Sequence, residues 1–216
     1  MRLLAIVTTS FHSQVYEILR KQILQQKFKM GDQINPKEIA EEHGISVMPV
    51  RDALLKLVNQ DLVTNKPRIG FFVREFSEIE TKNIMELRKM YELNCLTEYF
   101  DFINRDELKS IYPKICGAGE ITREEFNELD SRLHNTFILA SNNEFLINQY
   151  NKVRDLFILF QYLDSQRDEE TNEEHKKIIE SILDGDKQLA TDCLKLHLDL
   201  VYKSIIDNVR KNRING

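Results

Sequence analysis

The sequence predicts a mainly α protein in two parts: residues 1–76 as a small helical module with a short β wing, and residues 77–216 as an all-α helical bundle. Three observations carry this. Three of the four prolines and three of the seven glycines fall before residue 75, as in a small domain rich in turns. Beyond residue 77, capping patterns repeatedly precede apolar stripes of helical spacing, and strand signals are few. The charge splits at the same place. Residues 1–74 hold 11 Lys/Arg against 7 Asp/Glu, giving +4, and the remainder holds 19 against 28, giving -9, which together make the net -5.

Residues 1–10 read as a short arm. Ser13 to Gln25 is an amphipathic helix with Val15, Ile18, Leu19 and Ile23 inward. A second, short helix over Pro36 to His43 leads through a Gly44 turn into Ile45 to Val58. There Ser46 can cap, Pro49 is tolerated in the first turn, and Val50, Ala53, Leu54 and Leu57 recur at helical spacing. The other face offers Val47, Met48, Arg51 and Lys56. Two helices across a tight turn suggest a helix-turn-helix, whose second helix enters the major groove of DNA. Leu62-Val63-Thr64 and Phe71-Phe72-Val73 flank Lys66-Pro67-Arg68-Ile69-Gly70, which reads as a two-stranded basic wing. The net negative charge does not exclude a nucleic-acid partner, because a polyanion responds to the local patch. On this reading Arg51 contacts a base edge or phosphate, Lys37 and Arg68 contact backbone, and Gly70 lets the wing approach the groove.

In the second part, Ser77-x-x-Glu80, Thr122-x-x-Glu125 and Thr171-x-x-Glu174 have capping-box spacing, Asn104 and Asn143 are candidate caps, and Asp184-Gly185-Asp186 is a turn. The expected helices span about 78–101, 105–116, 123–141, 144–165, 172–184 and 187–211. A bundle is the simplest architecture. Leu156 to Phe160 is apolar all round, which implies a central helix or one at a dimer interface.

Four polar side chains fall on apolar stripes. Asp130 and His134 are four apart among Phe126, Leu129, Leu133 and Phe137, so they lie one turn apart on one face. His175 heads the stripe Ile178, Ile179, Ile182, and His197 sits among Cys193, Leu194, Leu200 and Val201. Inward groups of this kind need compensation. Neighbouring core polar groups could each supply it, or one divalent metal could satisfy all four. Imidazole nitrogen with one carboxylate suits Zn, Ni, Fe or Mn alike. Arg88 shares a face with Ile84, Tyr91 and Cys95, where a guanidinium needs an anion: an internal carboxylate or a bound ligand. Cys193 reads as a small core residue, and His12 and His43 as surface residues. No further inward Glu or Asp presents itself as a general base.

Spaced motifs then bring a family into view. Val15-Tyr16-Glu17-Ile18-Leu19-Arg20, Gly31-Asp32-Gln33-Ile34, Glu38-Ile39-Ala40, Pro49-Val50-Arg51-Asp52-Ala53-Leu54 and Gly70-Phe71-Phe72-Val73 resemble the GntR family of bacterial transcription regulators. Arg51 and Lys37 match family DNA-contact positions, with Lys37 in place of the usual Arg. Val47 stands where the family has a DNA-contacting Arg, Met48 where Thr is common, Gln26 where a turn Gly is common and Met30 where Pro is common. The Asp-x-x-x-His pair, Glu174-His175 and His197 resemble the FCD domain of the FadR branch, in its six-helix, VanR-like form. That resemblance implies a divalent metal on Asp130, His134, His175 and His197, and a small carboxylate effector held by the metal and Arg88. It also implies a homodimer on a double-stranded DNA operator, acting as a metabolite-responsive regulator, a repressor by expectation.

Leu3 to Val7 is too short for a signal-peptide core or a membrane span. Cys95, Cys116 and Cys193 are odd in number and widely spaced, which points to reduced thiols, and the expected location is the cytoplasm. Two competing functions remain at this point: a metal-dependent hydrolase or isomerase on the same four residues, and a regulator whose metal is purely structural.

Overall fold

The structure is a computed structural model and describes residues 11–117, 122–162 and 167–214. Residues 1–10, expected to form an arm, and the side chain of His12 lie outside the described residues. The chain divides into two compact units between Glu75 and Phe76.

In the first unit, helix α1 spans Phe11–Leu24, strand β1 Gln33–Ile34, α2 Pro36–Glu42, α3 Val47–Asn59, β2 Val63–Lys66 and β3 Gly70–Val73. Asn35 caps α2 by accepting from the Lys37 amide (3.0 Å), with Pro36 in the first turn where its missing N–H costs nothing. Gly44 turns the chain into α3 at φ +63°. Ser46 holds the extended N-cap geometry, yet its side chain makes no capping hydrogen bond. Leu19 and Ile23 of α1, and Val50, Ala53, Leu54 and Leu57 of α3, are fully buried and Val15 is buried beside them, whereas Ile18, expected inward, is exposed at the edge of the α1 stripe.

The wing has three strands rather than two. β1 pairs with β3 (Gln33 with Phe72, Ile34 with Phe71), giving the antiparallel order β1-β3-β2. Two residues are too few to show alternation, but Ile34 is buried and fills the sheet's inner face. Gly70, at φ +141°, would carry a Cβ only 3.0 Å from the Gln33 side chain, so glycine fits where a larger residue would collide.

The second unit holds α4 (Glu78–Glu98), a 3-10 turn (Phe100–Phe102), α5 (Arg105–Cys116), α6 (Arg123–Ala140), α7 (Glu144–Gln161), α8 (Asp168–Leu183) and α9 (Lys187–Ile214). Ser77 and Thr122 form both halves of their capping boxes, and Asn104 and Asn143 cap α5 and α7. The expected start at Thr171 is wrong: α8 begins at Asp168, Thr171 is buried, and Glu174 turns inward to Arg167 and His197. α4 is also shorter than expected and breaks into the 3-10 turn. The core runs from Leu96 and Leu108 through Leu133, Phe137 and Tyr150 to Ile178, Ile182 and Leu194. Leu156, Phe157, Leu159 and Phe160 are buried, so the all-apolar stretch lies in the core of this unit.

Gln26 follows α1 at φ +56°, a left-handed conformation that strains a side chain bearing a Cβ. Gln26→Gly should stabilise the first unit by about 0.5–1 kcal/mol, the strain relieved exceeding glycine's entropic cost. Denaturant midpoints measure this, and an unchanged or lower midpoint contradicts it.

Candidate metal centre and candidate nucleic-acid interface

Helices α6, α8 and α9 bring Asp130, His134, His175 and His197 to one buried place. One ligand atom from each lies within 4.8 Å of all the others. Asp130 Oδ1 is 3.4 Å from His175 Nε2 and 3.6 Å from His134 Nε2. The His175 and His197 rings are 4.7 Å apart between centroids, and His134 stacks on His197 at 5.2 Å. The Nε2 atoms of all three histidines are buried with no hydrogen-bond partner among the described residues. Unsatisfied buried nitrogens are costly, and three gathered beside one carboxylate are what a divalent cation needs. With metal–ligand bonds of about 2.1 Å, the four groups would have to draw closer together to hold an ion.

Carboxylates behind the rings fix their orientation. Glu92 Oε2 lies 2.6 Å from His134 Nδ1, and Glu174 Oε2 lies 2.8 Å from His197 Nδ1. A carboxylate accepts only, so each Nδ1 carries a proton and Nε2 is the nitrogen left turned to the centre. Burial holds His175 and His197 well below the usual imidazole pKa, assisted by the neighbouring rings, so both are neutral as ligation requires.

Glu92 was not anticipated from the sequence. It is fully buried on α4 and accepts from Arg88 Nε (2.8 Å) and the Tyr150 hydroxyl (2.9 Å) on Oε1. Burial alone would raise its pKa; Arg88 and His134 outweigh that and hold it at about 2. Spacing offered a signal, since Arg88, Glu92 and Cys95 fall at i, i+4 and i+7. With all its contacts made to donors, Glu92 is not a free general base.

Arg88 is buried and takes the internal partner: Glu92, with Asp130 Oδ2 at 3.9 Å from Nη2, and its guanidinium lies over the Phe157 ring at 5.6 Å. It also lines a small cavity of about 10 Å³ beside Asp130, shared with Arg123, Phe126, Gln161 and Val201, with room for about one water. Arg123 ties three helix ends here: it starts α6, bonds Asp168 at the start of α8, and donates to the Gln161 carbonyl at the end of α7 (2.5 Å). Gln161 in turn donates to Asp130. Cys193 is half-buried and outside the ligand group.

In the first unit, Lys37, Val47, Arg51, Lys66, Arg68 and Gly70 line a cleft of about 380 Å³ between α3 and the wing. Ser46 and His43 are exposed, and Met48 stands 66% exposed on the first turn of α3. Aromatic rings of β3 support the cations: Arg51 lies 6.0 Å from the Phe71 centroid and Lys66 4.3 Å from Phe72. The Gln33 side chain donates to the Ile69 carbonyl (3.2 Å) and steadies the wing tip, where Arg68 sits at φ +64°. Lys66 is the cleft cation that the site reading of the sequence omitted.

Two family models match the chain: the gntR family of bacterial regulatory proteins over residues 11–73, and the FCD domain over residues 83–200. The chain is a GntR regulator with an FCD domain. This GntR chain is 24% identical over 199 residues to the HTH-type transcriptional regulator YdhC of Bacillus subtilis, covering 88% of this chain and 89% of that protein. Its fold matches a GntR regulator from Rhodococcus sp. RHA1 with a TM-score of 0.80, at 17% identity, over 92% of this chain and 99% of that one. It is also similar to the FCD domain of TM0439 in two forms. The metal-free form is 38% identical over 63% of this chain and 99% of that one (TM-score 0.60), and the Zn2+-bound form is 40% identical over 62% and 96% (TM-score 0.58). The family is regulatory, and the enzymatic reading of the four residues gains nothing from it. No helix among the described residues is long and apolar enough to cross a membrane.

Folding holds His175 and His197 neutral below their ordinary pKa of 6.5, so at mildly acid pH only the unfolded chain takes up those protons. Metal-free protein should therefore have its full stability above about pH 6.5 and lose it progressively as pH falls below that value. Thermal melts in chelator from pH 7.5 to 5.5 test this, and a flat profile contradicts it.

Proposed function

We propose that the chain is a metal-dependent, carboxylate-responsive DNA-binding regulator, acting in the cytoplasm as a homodimeric repressor on a near-palindromic operator. The observation that carries the sensing half is the convergence of Asp130 with three unpartnered imidazole nitrogens in a buried site. Asp130, His134, His175 and His197 would hold the ion. Its remaining coordination positions would take one end of a small acid while Arg88, turning from its internal partners, would pair with the carboxylate. Zinc is the first metal to try, since the related FCD domain of TM0439 has a Zn2+-bound form. An effector shifts DNA binding only if it prefers one arrangement of the dimer over the other.

Zinc should raise the melting temperature of the chelator-treated protein, by the equivalent of about 2.7 kcal/mol at a hundredfold excess over Kd, and a matching small carboxylic acid should raise it further. His134→Ala should abolish both shifts and leave salt-sensitive binding to DNA upstream of its own gene intact. A metal shift that no acid extends would mean a structural ion. Absence of any sequence-preferring DNA binding would sink the regulatory reading.

On the DNA side, Lys37, Arg68 and Lys66 would meet phosphates, Arg51 would reach a guanine edge, Gly70 would keep the wing close, and Ser46 would donate to a phosphate at the helix start. Val47 and Met48 offer only apolar surface at the tip of the reading helix, which suits the C5 methyl of thymine. Replacing operator thymines one at a time with deoxyuridine should weaken wild-type binding about fourfold at the contacted positions, the worth of about one buried methyl. Met48→Ala should lose the sensitivity at its own thymine. Uniform indifference to the missing methyls would contradict the assignment.

A further inference from the structure

Glu92 is one carboxylate serving two machines. Its Oε2 accepts the hydrogen bond from His134 Nδ1–H, whose Nε2 faces the candidate metal, and its Oε1 accepts from Arg88 Nε, with Tyr150 as a third donor. All four residues are buried. We infer that Glu92 is a positioning residue that links metal binding to carboxylate binding, so that each ligand tightens the other. This inference rests on the metal and carboxylate reading above and adds the direction and route of the coupling.

The sign follows from charge. A cation on His134 Nε2 draws electron density from the ring and makes Nδ1–H a stronger donor, which pulls Glu92 towards His134. The hold of the same carboxylate on Arg88 then weakens, and the guanidinium is freed for an incoming anion. In reverse, an anion that takes Arg88 leaves Glu92 a better acceptor for His134 and the ring a better ligand. Reciprocity of binding free energies requires the two effects to be equal.

Glu92→Gln separates this role from mere packing, because an amide of the same shape has only one accepting oxygen. If that oxygen faces His134, the NH2 group meets Arg88, which can only donate. If it faces Arg88, the NH2 group meets His134 Nδ1 and drives the ring proton to Nε2, where it blocks the metal. Either way the link is cut.

The test measures zinc affinity by competition with a chromogenic chelator, with and without saturating acetate. Wild type should bind zinc about fivefold or more tightly with acetate, and acetate more tightly by the same factor with zinc. Folded Glu92→Gln should show a factor reduced about twofold or more, to what direct coordination of the acid to the ion supplies, whereas Tyr150→Phe, which removes only the third donor, should keep the wild-type factor. A coupling undiminished in Glu92→Gln, or wild-type zinc affinity indifferent to acetate, overturns the inference while leaving metal binding in place. Should Glu92→Gln not fold, nitrogen-15 NMR of metal-free wild type decides: His134 protonated on Nδ1 supports the relay, and protonation on Nε2 overturns it. Failure of wild type to take up zinc would instead defeat the metal reading, and the NMR result would still decide the tautomer.

Discussion

Three imidazole nitrogens face one carboxylate in a buried space, and the second unit is organised around that arrangement. Each unsatisfied buried nitrogen costs about 1–3 kcal/mol, a penalty that core residues elsewhere in the unit must outweigh. Two of the three rings are not free to rotate and escape it. Glu92 and Glu174 hold two of them from behind through Nδ1, and the helices carrying them pack on Phe137, Ile178 and Leu194. The site is thus built with its lone pairs already aimed, so ordering entropy is spent in folding and not at the moment of binding.

The two units solve opposite electrostatic problems. In the second, positive and negative groups are buried against each other, and Arg88 and Glu92 are stable only as partners. In the first, cations stay exposed, and aromatic rings support them without neutralising them. Phe71 and Phe72 are successive residues on opposite faces of β3, one near Arg51 and the other under Lys66. A surface so arranged keeps its positive charge available to a polyanion, as the +4 balance of residues 1–74 requires.

What was legible in the sequence was what is decided locally. Ser77 with Glu80 and Thr122 with Glu125 cap as their spacing indicates, because a capping box closes within four residues. The inward Asp130, His134, His175 and His197 were legible because each breaks an apolar stripe. Glu92 was passed over although it follows the inward-facing Arg88 by four residues, because the partner that claims its second oxygen is His134, 42 residues further on. Thr171 misled for the complementary reason. Its pattern is that of a cap, but long-range partners claim Glu174 and the helix starts a turn earlier. β1 was too short to leave a periodic trace, and its pairing with β3 lies nearly forty residues away in sequence.

The cavity beside Arg88 has room for about one water, and Arg123 binds the start of α6, the end of α7 and the start of α8 into a single knot at its edge. An organic guest held by Arg88 would therefore have to loosen that knot to lodge. Selectivity would then be a matter of leverage: only a molecule whose grip inside exceeds the work of loosening three helix ends would be retained, and its arrival would be felt as mechanical strain spread along all three helices at once.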